Sequence, residues 1–478
     1  MPIGHSPGKL AMLNLATFLI DAIPITSCVY SVYQLYLLIV STASFSSLNS
    51  STSSSFALSD LLALYCLLES FFLVYFFLTL SRLQVPIQPP LIPSFEERRR
   101  VFFNFLSLAN KKKDEEDDDE CDDSDVDKVV DGDVAPMGSN DFRAFFAPWF
   151  VFEREAYRQL KADEFHLIRR DDFRDWFAWL LYSARDYKQL STNPSTNHLS
   201  LELDSFLSEF ESRNKLCIQP GSNRDIQPVI LSYNPILAYP KPLVFYACIS
   251  LVESIGHLYF SWLGFRRIVD RERRYSFHPL DQDPTTVHYW VLQPSASLKS
   301  SVATSASLPP STQQPLPIVF FHGIGCGLFP YAKFIAQLAK AAPTTTIFLV
   351  ELPHVAMRFV DHVPSMEQTV AEVESMLDQF GFKSAMVVGH SLGSASLNFI
   401  WHQSILWADD LPENHHVVIS RKDLLVDARV IEDYFLQHGV KYTAYDLDHG
   451  EFLFTPGVQT EILERIVQCS RLGGGGCM

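Results

Sequence analysis

The chain has 478 residues, 47% of them hydrophobic and 37 of them phenylalanine, which is heavy for a soluble protein and leaves room for a domain of about 200 residues plus a substantial further region. The formal charge of −17 is not a general acidic field: thirteen acids and one lysine fall between Asp114 and Asp133, and only about −5 remains elsewhere. No basic field marks the chain for nucleic acid, and the eight cysteines (Cys28, Cys66, Cys121, Cys217, Cys248, Cys326, Cys469, Cys477) show neither framework nor metal spacing, so a reducing compartment is the simpler expectation.

Leu10 to Val40 is almost continuously apolar, interrupted by Asp21 and Pro24, and a second apolar run extends from Phe56 to Leu80 around Asp60 and Glu69. Both are long enough to cross a bilayer. Ser41–Ser55 between them holds no Lys or Arg, whereas Lys9 precedes the pair, and Arg82 and Arg98–Arg100 follow it. The positive-inside bias then predicts a hairpin over residues 1–100 with both ends cytosolic, and leaves the Asn49 sequon on the other side. The internal acids favour the alternative, two helices buried against the rest of the protein, because charge facing lipid is costly.

Residues 101–141, with Lys111–Lys113 and the acidic tract, cannot bury enough apolar surface to fold and read as a disordered linker, in which Ser124 has an acidophilic kinase context. Residues 142–270 read as a helical, aromatic-rich, membrane-proximal or cap-like region. Its stretches Phe145–Phe152 and Phe173–Leu181 suit either an interfacial helix or one packed over a catalytic core. The apolar stretch Pro242–Phe265 has arginines on both sides, which argues against a crossing and for a helix in the interface or at an acyl-chain entrance. Glu253 and His257 within it lie one helical turn apart and, lacking a third ligand, read as a polar pair rather than a metal site.

From residue 271 to 470 the pattern changes to alternation. Strands are expected near 275–277 and 287–292, then a Ser/Thr/Pro-rich loop from Pro294 to Pro315. After the loop come strand 317–321, helix 328–341, strand 345–350, helix 366–380, strand 384–388, helix 392–403, strand 415–420, helix 428–438, strand 441–446 and helix 457–468. This predicts an α/β fold, a mostly parallel sheet with helices on both faces and the site at the strands' carboxyl ends. Residues 471–478 read as a flexible tail.

Within that part, Ala385–Ser394 is an apolar run ending in Gly389-His390-Ser391-Leu392-Gly393, a strand turning sharply into a helix with Ser391 at the apex. Gly389 and Gly393 stand where a Cβ would clash across the turn. Pro317–Gly327 is a second strand ending in His322-Gly323-Ile324-Gly325, with Cys326 beyond it as a small apolar filler. Val417–Asp423 carries an acid just past a strand, and Asp446-Leu447-Asp448-His449-Gly450 places a histidine after one more.

The order Ser, Asp, His with these two turns resembles the α/β-hydrolase fold superfamily, within it the esterase and lipase-like members, over roughly 275–470. The resemblance implies Ser391 as nucleophile, His449 as general base and Asp423 as the acid that fixes its tautomer. Asp427 is the competing acid, better explained as a helix N-cap. Backbone amides of Ile324 and Leu392 would hold the oxyanion, with Gly323 and Gly325 shaping the loop and His322 and His390 in structural roles. The reading is therefore a membrane-associated serine hydrolase cleaving lipid-like carboxylic esters, with no cofactor, metal or nucleic acid. An acyltransferase using the same acyl-enzyme, or a non-catalytic membrane scaffold, are the alternatives.

The chain departs from the family in one place. Ser391 and Asp423 are separated by 32 residues, enough for one helix, one loop and one strand. The family carries an additional strand and helix there, and Trp401–Trp407 looks like the lead-in to the acid strand. Without the missing strand, the acid strand either pairs directly with the nucleophile strand, moving Asp423 by about 4.8 Å, or an unpaired gap opens in the sheet.

Overall fold

The computed structural model describes residues 7–43, 58–84, 92–110, 140–155, 157–230, 233, 238–269, 288–294, 315–358, 360, 363–364, 366–394, 411, 414–423 and 428–471. Asn49, the acidic tract with Ser124, the strand expected at 275–277, the interior of the Ser/Thr/Pro-rich loop, Trp401–Trp407 and Asp427 lie outside them. The chain divides into two compact units, residues 1–75 with 240–478, and residues 76–239.

Helices α1 (Pro7–Ala43) and α2 (Leu58–Leu83) form where the sequence is apolar and lacks helix breakers other than Pro24. They meet where Ser70 Oγ donates to Ser31 Oγ at 3.1 Å. Segments Thr17–Leu37 and Leu58–Leu83 are long and apolar enough to cross a membrane, and so is Leu243–Trp262.

In the second unit, α3 (Phe95–Asn110) opens on a capping box, with Ser94 N–H donating to Glu97 and Glu97 N–H to Ser94 Oγ. Helix α4 (Asn140–Phe146), strands β1 (Phe150–Phe152) and β2 (Arg158–Gln159), helices α5 (Arg170–Tyr182), α6 (Tyr187–Thr192) and α7 (Asn197–Arg213), and strand β3 (Ile226–Pro228) follow. The three strands make a small sheet in the order β2-β1-β3. Phe146, Phe150, Phe173, Trp176, Phe177 and Phe210 bury one another in a core of this unit's own. The aromatic stretches of residues 142–190, read from the sequence as facing a bilayer or a catalytic core, supply that core.

In the first unit, α8 (Leu243–Trp262) leads into β4 (Arg266–Ile268), β5 (His288–Leu292) and β6 (Ile318–Phe321). Then come α9 (Ala332–Ala341), β7 (Ile347–Glu351), α10 (Met366–Gln379), β8 (Met386–Gly389), β9 (Val417–Ser420), α11 (Ala428–Gln437), β10 (Tyr442–Tyr445) and α12 (Pro456–Arg471). Five strands pair in the order β4-β5-β7-β6-β8, antiparallel at β4/β5 and β5/β7 and parallel at β6/β7 and β6/β8. Side chains of β6 and β7 alternate between faces: Ile318, Phe320, Ile347 and Leu349 enter one core, Val319, Phe321, Phe348 and Val350 the other. That two-residue period on a sheet covered on both sides is what the apolar runs in the sequence encode. The fold of this unit is α/β, a mixed sheet with helices on both faces.

Strands β9 and β10 pair in parallel as a separate two-stranded sheet, and neither is paired with β8 among the described residues. Of the two consequences expected from the short Ser391–Asp423 connection, direct pairing of the acid strand with β8 is not found among the described residues, while 395–410 and 412–413 between them lie outside those residues. Helix α12 touches both sheets. Its Leu463, Ile466 and Val467 pack into the core beneath β6, while Glu461 accepts from Tyr445 Oη on β10 and Arg465 meets His416 beside β9. Its last turn is bonded to the start of β6 through Ser470 and Leu316. Cys469 in that turn is disulfide-bonded.

Candidate active site

Ser391 sits where β8 ends, with φ of 54°, a left-handed value that a serine adopts only when its surroundings impose it. The constraint is visible at the glycines. A Cβ on Gly389 would lie 2.7 Å from Gly393 O, and one on Gly393 would lie 2.5 Å from His322 O. Any larger residue would push the turn apart. The same crowding brings the neighbouring loop in: a Cβ on Gly323 would stand 2.8 Å from Ser391 Cβ.

His449 Nε2 lies 2.9 Å from Ser391 Oγ, and His449 Nδ1 lies 2.6 Å from Asp423 Oδ2. The three residues expected from the sequence are brought together from the two sheets. Asp423 and His449 reach the site on one rigid piece, the β9–β10 pair, whose register continues past the strands through Arg421 N–H to Tyr445 O and Lys422 N–H to Leu447 O. The His449 loop is closed by Gly450 at φ 73°, by Glu451 N–H to Asp448 O and by Asp448 N–H to the Glu451 carboxylate. Asp427 cannot be placed, since it lies outside the described residues.

Neither the Ile324 nor the Leu392 N–H donates a hydrogen bond to another described residue, whereas their neighbours do. Gly325 N–H goes to Val355 O, Gly393 N–H to His390 O, and Gly323 N–H to Tyr331 Oη. Two free donors thus flank Ser391, on the two turns that the sequence singled out.

Two histidines support these turns. His322, fully buried, accepts from Leu352 N–H at Nε2 and so has its Nδ1 proton for Gly323 O. Burial pushes its pKa down to about 4, which keeps it neutral. His390 Nδ1 accepts from the Tyr331 hydroxyl at 2.7 Å, and its ring packs against His449 and Phe452. Its pKa is also lowered to about 4, first by burial and then by the neighbouring His449. Tyr331 carried no signal in the sequence, because its partners Gly323 and His390 are brought to it only by the fold. Cys326 is half-buried on the same loop.

Beside the site, Glu351 ends β7 at 1% exposure and accepts from Arg267 Nε and Nη2, Trp290 Nε1 and Arg358 Nη1. Arg358 also meets Glu253, and His257 lies 3.4 Å from Glu351. Burial alone would raise the Glu351 carboxyl, but His257, Arg267 and Arg358 hold it far below the usual carboxylate range. Glu253 and His257 do form the expected polar pair at 3.3 Å, and the fold adds Glu351 as a third group of metal-ligand type. The two guanidinium groups already balance the two carboxylates, so the cluster reads as an ion-pair network tying α8 and the loop after β7 to the sheet.

No family model matches the chain, and no curated protein does. Among solved structures, a carboxylesterase of Bacillus subtilis is 10% identical over 48% of this chain and 100% of its own, with a TM-score of 0.32. A membrane phospholipase A, described as a bacterial virulence factor, is 10% identical over 47% and 94%, at 0.31, and an esterase of Pyrococcus furiosus is 9% identical over 44% and 95%, at 0.30. With TM-scores below 0.5 they assign no activity to this chain.

Proposed function

We propose that the protein is a membrane-associated serine hydrolase that cleaves carboxylic esters of lipid-like substrates through an acyl-enzyme on Ser391. The observation that carries this reading is the chain Ser391 Oγ, His449, Asp423 at 2.9 and 2.6 Å beside two unused backbone donors. Ser391 Oγ attacks the ester carbonyl carbon while His449 Nε2 takes its proton. The oxyanion accepts from the Ile324 and Leu392 N–H groups, and His449 returns the proton to the departing alkoxide. Water then attacks the acyl-enzyme by the same proton route in reverse, and Asp423 keeps the His449 Nδ1 proton in place throughout. A lipid-like substrate is supported by the apolar side chains exposed on the two turns beside Ser391, Ile324 and Leu392, and by the apolar surfaces of α1 and α2. The flanking charges, Lys9 before and Arg82 and Arg98–Arg100 after, support a cytosolic side for both ends of that pair.

The test is turnover of short- and long-chain esters by the full chain in lipid vesicles, with and without an acceptor alcohol. Ser391→Ala and His449→Ala are expected to fall to background, and Asp423→Asn by on the order of 10³–10⁴-fold. Acyl transfer to the added alcohol in place of hydrolysis identifies the transferase form of the same chemistry. Absence of turnover and of transfer by well-folded wild-type protein overturns the reading in favour of a scaffold.

A further inference from the structure

Helix α8 has two faces of opposite character. One face is fixed to the catalytic core: Phe260 is buried, a Cβ at Gly256 would stand 3.4 Å from the Phe329 ring, and Glu253 and His257 join the Arg358 and Glu351 network. The other carries Val244, Cys248, Leu251, Ile255, Leu258 and Trp262, all exposed, at alternating steps of four and three residues. Leu258 is 73% and Trp262 78% exposed, so the far end of the stripe is left uncovered by the described residues.

The start of α8 is held by α1 and α2. Leu243 N–H donates to the buried Glu69 carboxylate near the middle of α2, Lys241 Nζ meets Asp21 of α1 at 2.6 Å, and Tyr246 stacks edge-on against Phe72. The stripe therefore continues the exposed apolar surface of α1 and α2 onto the enzyme.

We propose that this stripe is a lipid contact: α8 lies against the acyl chains of the bilayer along its outer face while its inner face carries the catalytic core. A full crossing is disfavoured, because it would take Glu253, His257, Glu351, Arg267 and Arg358 to hydrocarbon depth. Two observations choose lipid over a second helix. Two of the three exposed serines on α8 turn back to their own helix, Ser250 Oγ to Tyr246 O and Ser254 Oγ to Ser250 O, as hydroxyls do in apolar surroundings. The positions flanking the stripe, Phe245, Ala247, Ser250, Val252, Ser254, Tyr259 and Ser261, bear no charge, whereas a paired helix is registered by charges there. An outward lipid face on a helix fixed to the catalytic core sets the orientation of the Ser391 mouth to the membrane without a flexible tether.

The experiment uses the full chain in phosphatidylcholine vesicles with brominated acyl chains and reads tryptophan emission, which is independent of catalysis. Its failure is thereby separable from failure of the hydrolase reading. Bromine quenching present in wild type, lost with Trp262→Phe and regained with Leu258→Trp in that background is the expected result. Equal quenching in wild type and Trp262→Phe, with no gain from Leu258→Trp, overturns the proposal. So does Trp262 protection accompanied by a change of oligomeric state in Leu258→Glu, which would assign the stripe to a second copy.

Discussion

The Tyr331 hydroxyl accepts from Gly323 N–H and gives its proton to His390 Nδ1, so one phenol ties the loop carrying Ile324 to the turn carrying Ser391. Tyr331→Phe leaves the Gly323 donor buried and unpaired, at about 1–3 kcal/mol. Because that strain falls on the placement of the Ile324 N–H, kcat for ester turnover is expected to drop roughly tenfold with little change in KM. An unchanged kcat would remove Tyr331 from the positioning of the loop. His322 and His390 give a second prediction. Both have folded pKa values near 4 against an ordinary 6.5, so the unfolded chain binds protons first as pH falls. The stability due to neutral His322 is complete above about pH 6.5 and is lost between 6.5 and 4, up to about 3 kcal/mol. Urea midpoints at pH 7 and 5 compared with His322→Gln check it: the pH dependence should shrink in the variant. At this scale the sequence was legible wherever the chemistry is local. The spacing around Ser391 and the glycines that admit it are set by one tight turn. Tyr331 and Glu351 were not legible, since each acts through groups distant along the chain.

Among the described elements, the alternation from β6 to α12 was readable from the sequence to within a few residues at each end, the expected helix 392–403 lying mostly outside them, because buried parallel strands are short apolar runs and the helices between them show a 3.6-residue period. Strand β4 was missed: it is three residues long and two of them are arginines, one of which is turned to Glu351. The lack of pairing between the described strands β8 and β9 agrees with one of the two expected outcomes, but the contacts that hold them in register were not foreseen. Helix α12 packs on the five-stranded sheet and holds the two-stranded one, so it bears the alignment of the two. Ile466→Ala is expected to cost about 2–5 kcal/mol. It should also separate the two sheets: amide exchange in β9 and β10 should quicken more than in β6 and β7. Uniform quickening across all four strands would mean that α12 supports the fold without bridging the two sheets.

For the whole molecule, composition pointed the wrong way on charge and the right way on apolar content. One acidic tract supplies most of the net charge, whereas the excess of aromatic and aliphatic residues is spent on two long exposed helices and on the aromatic core of residues 76–239. The proposed function rests on the assembly of Ser391, His449 and Asp423 from two sheets that are not paired among the described residues. Its most direct measurement is covalent labelling of the vesicle-embedded chain by a fluorophosphonate, with the modified peptide mapped by mass. Labelling on Ser391 that disappears in His449→Ala is the expected result, and folded protein left unlabelled, or labelled on another serine, would contradict it.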